Sequence, residues 1–81
     1  METIFNVINP FFAGNQWQLN RNINTMFYRN KTDEFVITLL PSTGGIEVTV
    51  PLNKVCYKNT FYTLNTVVDY VKMHVNYYQT R

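Results

Sequence analysis

At 81 residues and a formal net charge of +2, the chain has room for one domain, residues 1–81, and little room for a buried active-site cleft. Hydrophobic residues make up 46%, aromatics 16% and charged residues only 15%, which excludes a disordered chain and a strongly basic nucleic-acid tail alike. A domain this small buries only roughly 60–65% of its unfolded surface, so a further stabilising device is expected.

Cys56 is the only cysteine, which rules out a disulfide within the chain. Cys56 and His74 fall well short of the four ligands that structural zinc requires. Oligomerisation is the device that remains. The N-terminal residues lack the basic start and continuous apolar core of a signal peptide. No apolar run approaches the roughly 20 residues that span a bilayer. A lone cysteine without an export signal points to a reducing, intracellular setting. The richness in Asn, Thr and Tyr is what an AT-rich, for instance viral, genome encodes.

Residues 2–9 carry enough β-branched and aromatic side chains to predict a short strand, with Phe5 and Val7 on one side and Ile4 and Ile8 on the other. Asn9-Pro10 ends it, because the residue before proline is pushed out of the helical region. Phe11 and Phe12 then either plug one end of the core or anchor a partner. Residues 16–24 alternate: Trp17, Leu19, Arg21 and Ile23 share one face, while glutamines and asparagines fill the other. That is a half-exposed antiparallel strand, with Arg21 near an edge, its stem buried and its head in water. Thr25 to Lys31 continues as another strand or as an extension past a bend, and Asn30 to Asp33 reads as a turn.

Glu34–Leu40 is apolar on both faces and predicts a central strand covered on both sides. The Pro41–Gly45 segment supplies turn chemistry, with two glycines suited to positive φ. Ile46 to Val50 alternates again and completes a hairpin, and Pro51 ends it for want of an N–H. Leu52 to Lys58 reads as a connection, with room for a short turn of helix. From Thr60 to Tyr78 the apolar residues Phe61, Leu64, Val68, Val71, Val75 and Tyr78 are spaced by threes and fours, which predicts an amphipathic helix capped by Asn59 or Thr60.

That stripe either covers the sheet of its own chain or pairs with a second copy. Large residues beyond it, Tyr62, Tyr70, Met73 and Tyr77, favour a helix that does both. The dimer interface predicted on this basis comprises Phe61, Leu64, Val68, Tyr70, Val71 and Val75.

Chemistry is sparse. His74 has no nucleophile or co-ligand at a useful spacing, Cys56 has no activating base, and Asp33, Glu34, Glu47 and Asp69 form no acid–base pair. Gly44-Gly45 lacks the lysine and helix of a phosphate loop. The expectation is therefore a protein without catalytic residues, metal or cofactor. Binding fits better. Arg21, Arg29, Lys31, Lys54 and Lys58 lie outside the helix and are interleaved with Trp17, Phe27, Tyr28 and Tyr57. Flat aromatics on a sheet with nearby cations suit single-stranded nucleic acid, where stacking is worth roughly 1–3 kcal/mol per base. If Tyr28 points into the core, Phe27, Arg29 and Lys31 form the outward set. The competing reading is that strand aromatics build the core and scattered cations keep the protein soluble.

From Thr25 onward, Phe27-Tyr-Arg-Asn-Lys31, the strand Glu34–Leu40, Gly45-Ile46-Glu47-Val48 and the final helix resemble the positive-coactivator family of single-stranded-DNA-binding transcriptional proteins. The resemblance covers residues 25–78. It implies a homodimer whose sheets grip an unpaired strand, with Arg29, Lys31 and Lys54 near the nucleic acid.

The sequence thus predicts an α+β domain, an antiparallel sheet of three to five strands with one C-terminal amphipathic helix packed across it. Its expected role is non-catalytic binding of single-stranded nucleic acid as a homodimer, in replication or transcription, with Trp17, Arg21, Phe27, Arg29, Lys31, Lys54 and Lys58 at the ligand. The alternative is a small protein-interaction module, such as a viral adaptor or inhibitor, using Phe11, Phe12 or the helix tyrosines.

Overall fold

A computed structural model describes residues 1–14, 16–52 and 55–79, with the backbone alone for 78 and 79. The chain runs as helix α1 (Glu2–Ile8), a 3-10 turn (Asn9–Phe12), strands β1 (Gln18–Arg21), β2 (Thr25–Arg29), β3 (Glu34–Leu40), β4 (Gly45–Leu52) and β5 (Val55–Phe61), and helix α2 (Leu64–Gln79). The strands form one antiparallel meander in the order β1-β2-β3-β4-β5. This is the expected α+β domain, with a second helix at the N-terminus.

That second helix corrects the strand predicted over residues 2–9. Ile4 and Ile8 stand four apart and are both buried, which is one helical stripe, and Glu2 occupies the first turn where the helix dipole favours an acid. In a run as short as Ile4-Phe5-Asn6-Val7-Ile8, periods of two and of 3.6 both find apolar partners, so packing on α2 and the 3-10 turn decides.

Helices and sheet form two layers with one core between them. Met26 and Tyr28 of β2, Phe35 and Ile37 of β3, and Ile46, Val48 and Val50 of β4 face Ile4, Ile8, Phe12, Val67, Val71 and Val75. Phe12 stacks on Tyr28 with ring centroids 3.9 Å apart and planes 8° apart, closing the end of the core. Of the two readings of Phe12, the core plug is the one observed.

The turns explain several boundaries. β1 is shorter than predicted because the chain reverses at Asn22–Asn24, where Asn22 N–H donates to the Thr25 carbonyl at 3.0 Å and Asn24 N–H to Asn22 Oδ1. Ile23 therefore sits 85% exposed at a turn tip and does not share the apolar face of β1. The Asn30–Asp33 turn forms as expected, with Asn30 Oδ1 accepting from the N–H groups of Thr32 and Asp33. In the β3–β4 turn only Gly44 takes positive φ, +73°. Gly45 opens β4 instead, and a Cβ there would meet Thr60 Cγ2 at 3.0 Å and Tyr62 Cε1 at 3.2 Å.

β3 has the predicted bounds, but only its helix side meets the core, with Phe35 and Ile37 buried and Leu39 partly so; Val36, Thr38 and Leu40 stay half-exposed on the other. β4 runs through Pro51, which stands two residues past the last β3–β4 pair, Val36↔Thr49, where a missing N–H is tolerated as on an edge strand. Residues 55–61, read as connection and helix start, are β5. The strand is exposed along almost its whole length, so no burial pattern marks it. Its ladder with β4, from Ile46↔Phe61 to Leu52↔Val55, holds it. Helix α2 begins after Thr63, whose Oγ1 accepts from Thr66 N–H, so the cap lies three residues later than Thr60.

Candidate functional site

With both helices on one side, the other face of the sheet is left open. Side chains alternate along each strand, so the register specifies what that face presents. One row crosses all five strands as Asn20–Phe27–Val36–Thr49–Lys58. A second row contains Gln18–Arg29–Glu34, and a third Thr25–Thr38–Glu47–Thr60. The centre is a half-buried apolar strip of Phe27 and Val36, flanked by hydroxyls and amides.

Tyr28 decides which side of β2 faces out. It is 1% exposed and points into the core, with its hydroxyl donating to Asn9 Oδ1 at 3.0 Å. Burial pushes its pKa up to about 12, against a smaller opposing effect of the Arg21 charge. The condition set by the sequence is met: Phe27 and Arg29 share the open face.

The charges on that face are balanced. Arg29 donates to Glu34 Oε2 through Nε at 2.9 Å and Nη2 at 2.6 Å, and Lys58 Nζ lies 3.7 Å from Glu47 Oε1. Both cationic side chains are more than half exposed. Exposed pairs of this kind are worth only about 0–1 kcal/mol, so an incoming phosphate can displace a carboxylate at small cost. Beside Arg29, the β2–β3 turn encloses a recess of about 280 Å³ lined by Arg29, Asn30, Lys31, Thr32, Asp33, Glu34, Pro51 and Cys56. Arg29 and Lys31 thus meet at one end of the face.

The remaining predicted site residues separate from this group. Trp17 lies on the helix side, edge-on to Phe12 at 5.4 Å and to Phe35 at 5.2 Å. Arg21 is on the same side, 4.1 Å over the Phe5 ring and ion-paired with Glu2. Neither shares a surface with Phe27. Both follow the predicted alternation, but that alternation marked the helix side. Lys54 lies outside the described residues. Asn20, Val36 and Thr49 were not singled out, although a hairpin register around Phe27 would have found them.

The predicted dimer interface also needs correction. Val71 and Val75 are 0% and 1% exposed within the single chain, because Val67, Val71 and Val75 form the line that faces the sheet. They are not available to a second subunit. Phe61, Leu64, Val68 and Tyr70 are half-buried; Tyr70 lies 4.9 Å from Phe61 and accepts a hydrogen bond from Asn59 Nδ2 at 3.0 Å. The residues α2 and its approach leave most open are Tyr62, Met73 and Tyr77. The Tyr78 side chain lies outside the described residues.

Among the described residues, no cluster of three His, Cys, Asp or Glu side chains is placed to hold a metal, and no helix is long and apolar enough to cross a membrane. No family model, curated protein or solved structure matches the chain.

Proposed function

We propose that the protein binds single-stranded nucleic acid on the open face of its sheet, without catalysis, and that it acts as a homodimer in replication or transcription. The observation that carries this reading is the joint presentation of Phe27 and Arg29 on an uncovered sheet face, with Lys31 at its rim and Lys58 across it. Phe27 supplies a flat apolar ring for a base. Arg29, Lys31 and Lys58 supply phosphate contacts, and Asn20 and Thr49 supply hydrogen bonds to base edges or sugar. The resemblance of residues 25–78 to the positive-coactivator family supports the same reading.

A duplex cannot stack its paired bases on Phe27, so the face favours unpaired strands. Titration of the protein with labelled single-stranded and duplex oligonucleotides at two salt concentrations tests this. The expected result is single-strand preference with an affinity that falls as salt rises. Absence of binding at low salt would overturn the proposal. It would promote the second reading, a protein-interaction module presenting Tyr62, Met73 and Tyr77, whose exposures of 70%, 60% and 43% are the observation in its favour.

A further inference from the structure

The two edges of the sheet are unequal. β1 is four residues long. β5 is seven residues long, pairs with β4 in an uninterrupted register, and contains no proline or bulge within Val55–Phe61. Protected edges are short, kinked, proline-bearing or charged. The single charge on β5, Lys58, is turned toward Glu47 of the adjacent strand. On the helix side, Val55 and Tyr57 are 52% and 49% exposed, beyond the reach of α2. A shallow recess lined by Phe61, Thr66, Asp69, Tyr70 and Met73 continues the same surface onto α2.

We infer that β5 pairs antiparallel with β5 of a second copy of this chain, joining two five-stranded sheets into one of ten strands. This deepens the homodimer part of the reading above, moves the interface from the α2 stripe to the sheet edge, and stands apart from nucleic-acid binding. An antiparallel edge is its own complement about a two-fold axis. Matching helix side to helix side restricts the pairing to registers centred on one residue meeting its own copy.

Side-chain chemistry selects among these registers. Centring on Lys58 sets two like charges directly opposite one another, which is destabilising. Centring on Tyr57 leaves Phe61 beyond the overlap. Centring on Asn59 puts Tyr57 of each copy opposite Phe61 of the other, two symmetric aromatic pairs beside Tyr70 and Met73, and places Lys58 opposite Thr60. The occupant is therefore a second copy in the Asn59-centred register. In that assembly the two open faces become continuous, and one unpaired strand can run from one copy to the other.

The test is the solution mass by analytical ultracentrifugation of the full chain, without nucleic acid, over a range of protein concentrations. Wild type is expected at twice the protomer mass of 9.6 kDa. Thr60→Lys places cations opposite Lys58 at two symmetric positions and is expected to weaken the dimer about tenfold. Within its own chain that substitution faces Glu47, so the fold is maintained and circular dichroism should match wild type. Cys56→Ser with Asn59→Cys is expected to give a covalent dimer on mild oxidation, which reports the register. A monomeric wild type would overturn the inference, and so would a dimer that Thr60→Lys leaves unchanged. A dimer that fails to bind oligonucleotides would overturn only the nucleic-acid reading.

Discussion

Replacing Tyr28 by Phe separates two effects that the structure combines in one side chain. The ring stays stacked on Phe12, while the hydroxyl bond to Asn9 Oδ1 is lost. Near neutral pH the variant should be less stable by about 1 kcal/mol, the net worth of one such bond plus the penalty on its half-buried acceptor. Alkaline pH reverses the order. The Tyr28 pKa is about 12 in the fold against about 10 in an unfolded chain, so the unfolded state releases its proton first. The favourable contribution of the neutral phenol is complete below pH about 10 and drains away as pH rises toward about 12, to a total of about 2–3 kcal/mol.

The wild type has lost about 1 kcal/mol by pH near 10.7, and there the two stability curves should cross. Urea unfolding of both proteins between pH 7 and 11.5, followed by far-ultraviolet circular dichroism, measures this directly. The exposed tyrosines and lysines are common to both proteins and cancel in the difference. A stability difference that stays constant from pH 9 to 11.5 would refute the placement of Tyr28 in the core and the pKa that follows from it.

Outcomes at four further positions follow from the same arrangement. Phe27→Ala should weaken binding of a single-stranded oligonucleotide by about 1–3 kcal/mol in titration. Trp17→Ala should act chiefly on stability, because Trp17 packs on the helix side against Phe12 and Phe35. Val71→Asp should unfold the chain, as seen by circular dichroism, because it buries an unpaired carboxylate at a position with no exposure; Val71→Ala should cost about 2 kcal/mol in urea unfolding. Thr63→Ala should cost about 1 kcal/mol by removing the oxygen that caps α2.

Segments with a single consistent period were legible from sequence. β4 and the body of α2 carry such periods, and β3, a continuous apolar run of strand length, is legible through the turn that ties it to β4. The start of α2 was misplaced because Phe61, three residues before Leu64, continues the helical spacing while belonging to β5. β5 was invisible for a different reason. A strand exposed on both faces has no alternation of burial to display, and only the neighbouring β4 ladder defines it. The N-terminal segment satisfied two periods at once, and tertiary contacts chose the helix.

The candidate site was legible conditionally: Phe27, Arg29 and Lys31 were grouped, but only if Tyr28 turned inward. Two adjacent aromatics cannot settle that between themselves. The Phe12 ring and the Asn9 amide settle it from the other end of the domain. Trp17 and Arg21 fall on the helix side, apart from Phe27, because Phe12 and Phe35 hold one and Phe5 and Glu2 of α1 hold the other, contacts that no local pattern announces.

The way β2 divides its aromatics bears on function. Stability alone favours placing phenylalanine inside and tyrosine outside, since a buried phenol must find a hydrogen-bond partner and a buried phenyl ring need not. Strand β2 does the opposite. Tyr28 is buried and requires Asn9, while Phe27 stands half-exposed beside the cationic Arg29 on the open face. Under the proposed reading, that ring is the platform on which a base stacks. Phe27→Tyr keeps the ring face and adds only a hydroxyl, so oligonucleotide affinity should remain within about twofold of wild type, as expected of sequence-tolerant stacking. Phe27→Leu keeps most of the apolar area and removes the flat face, so its affinity should fall toward that of Phe27→Ala. If Phe27→Leu binds like wild type, Phe27 contributes area and not stacking, and the ring on the open face is there for the fold.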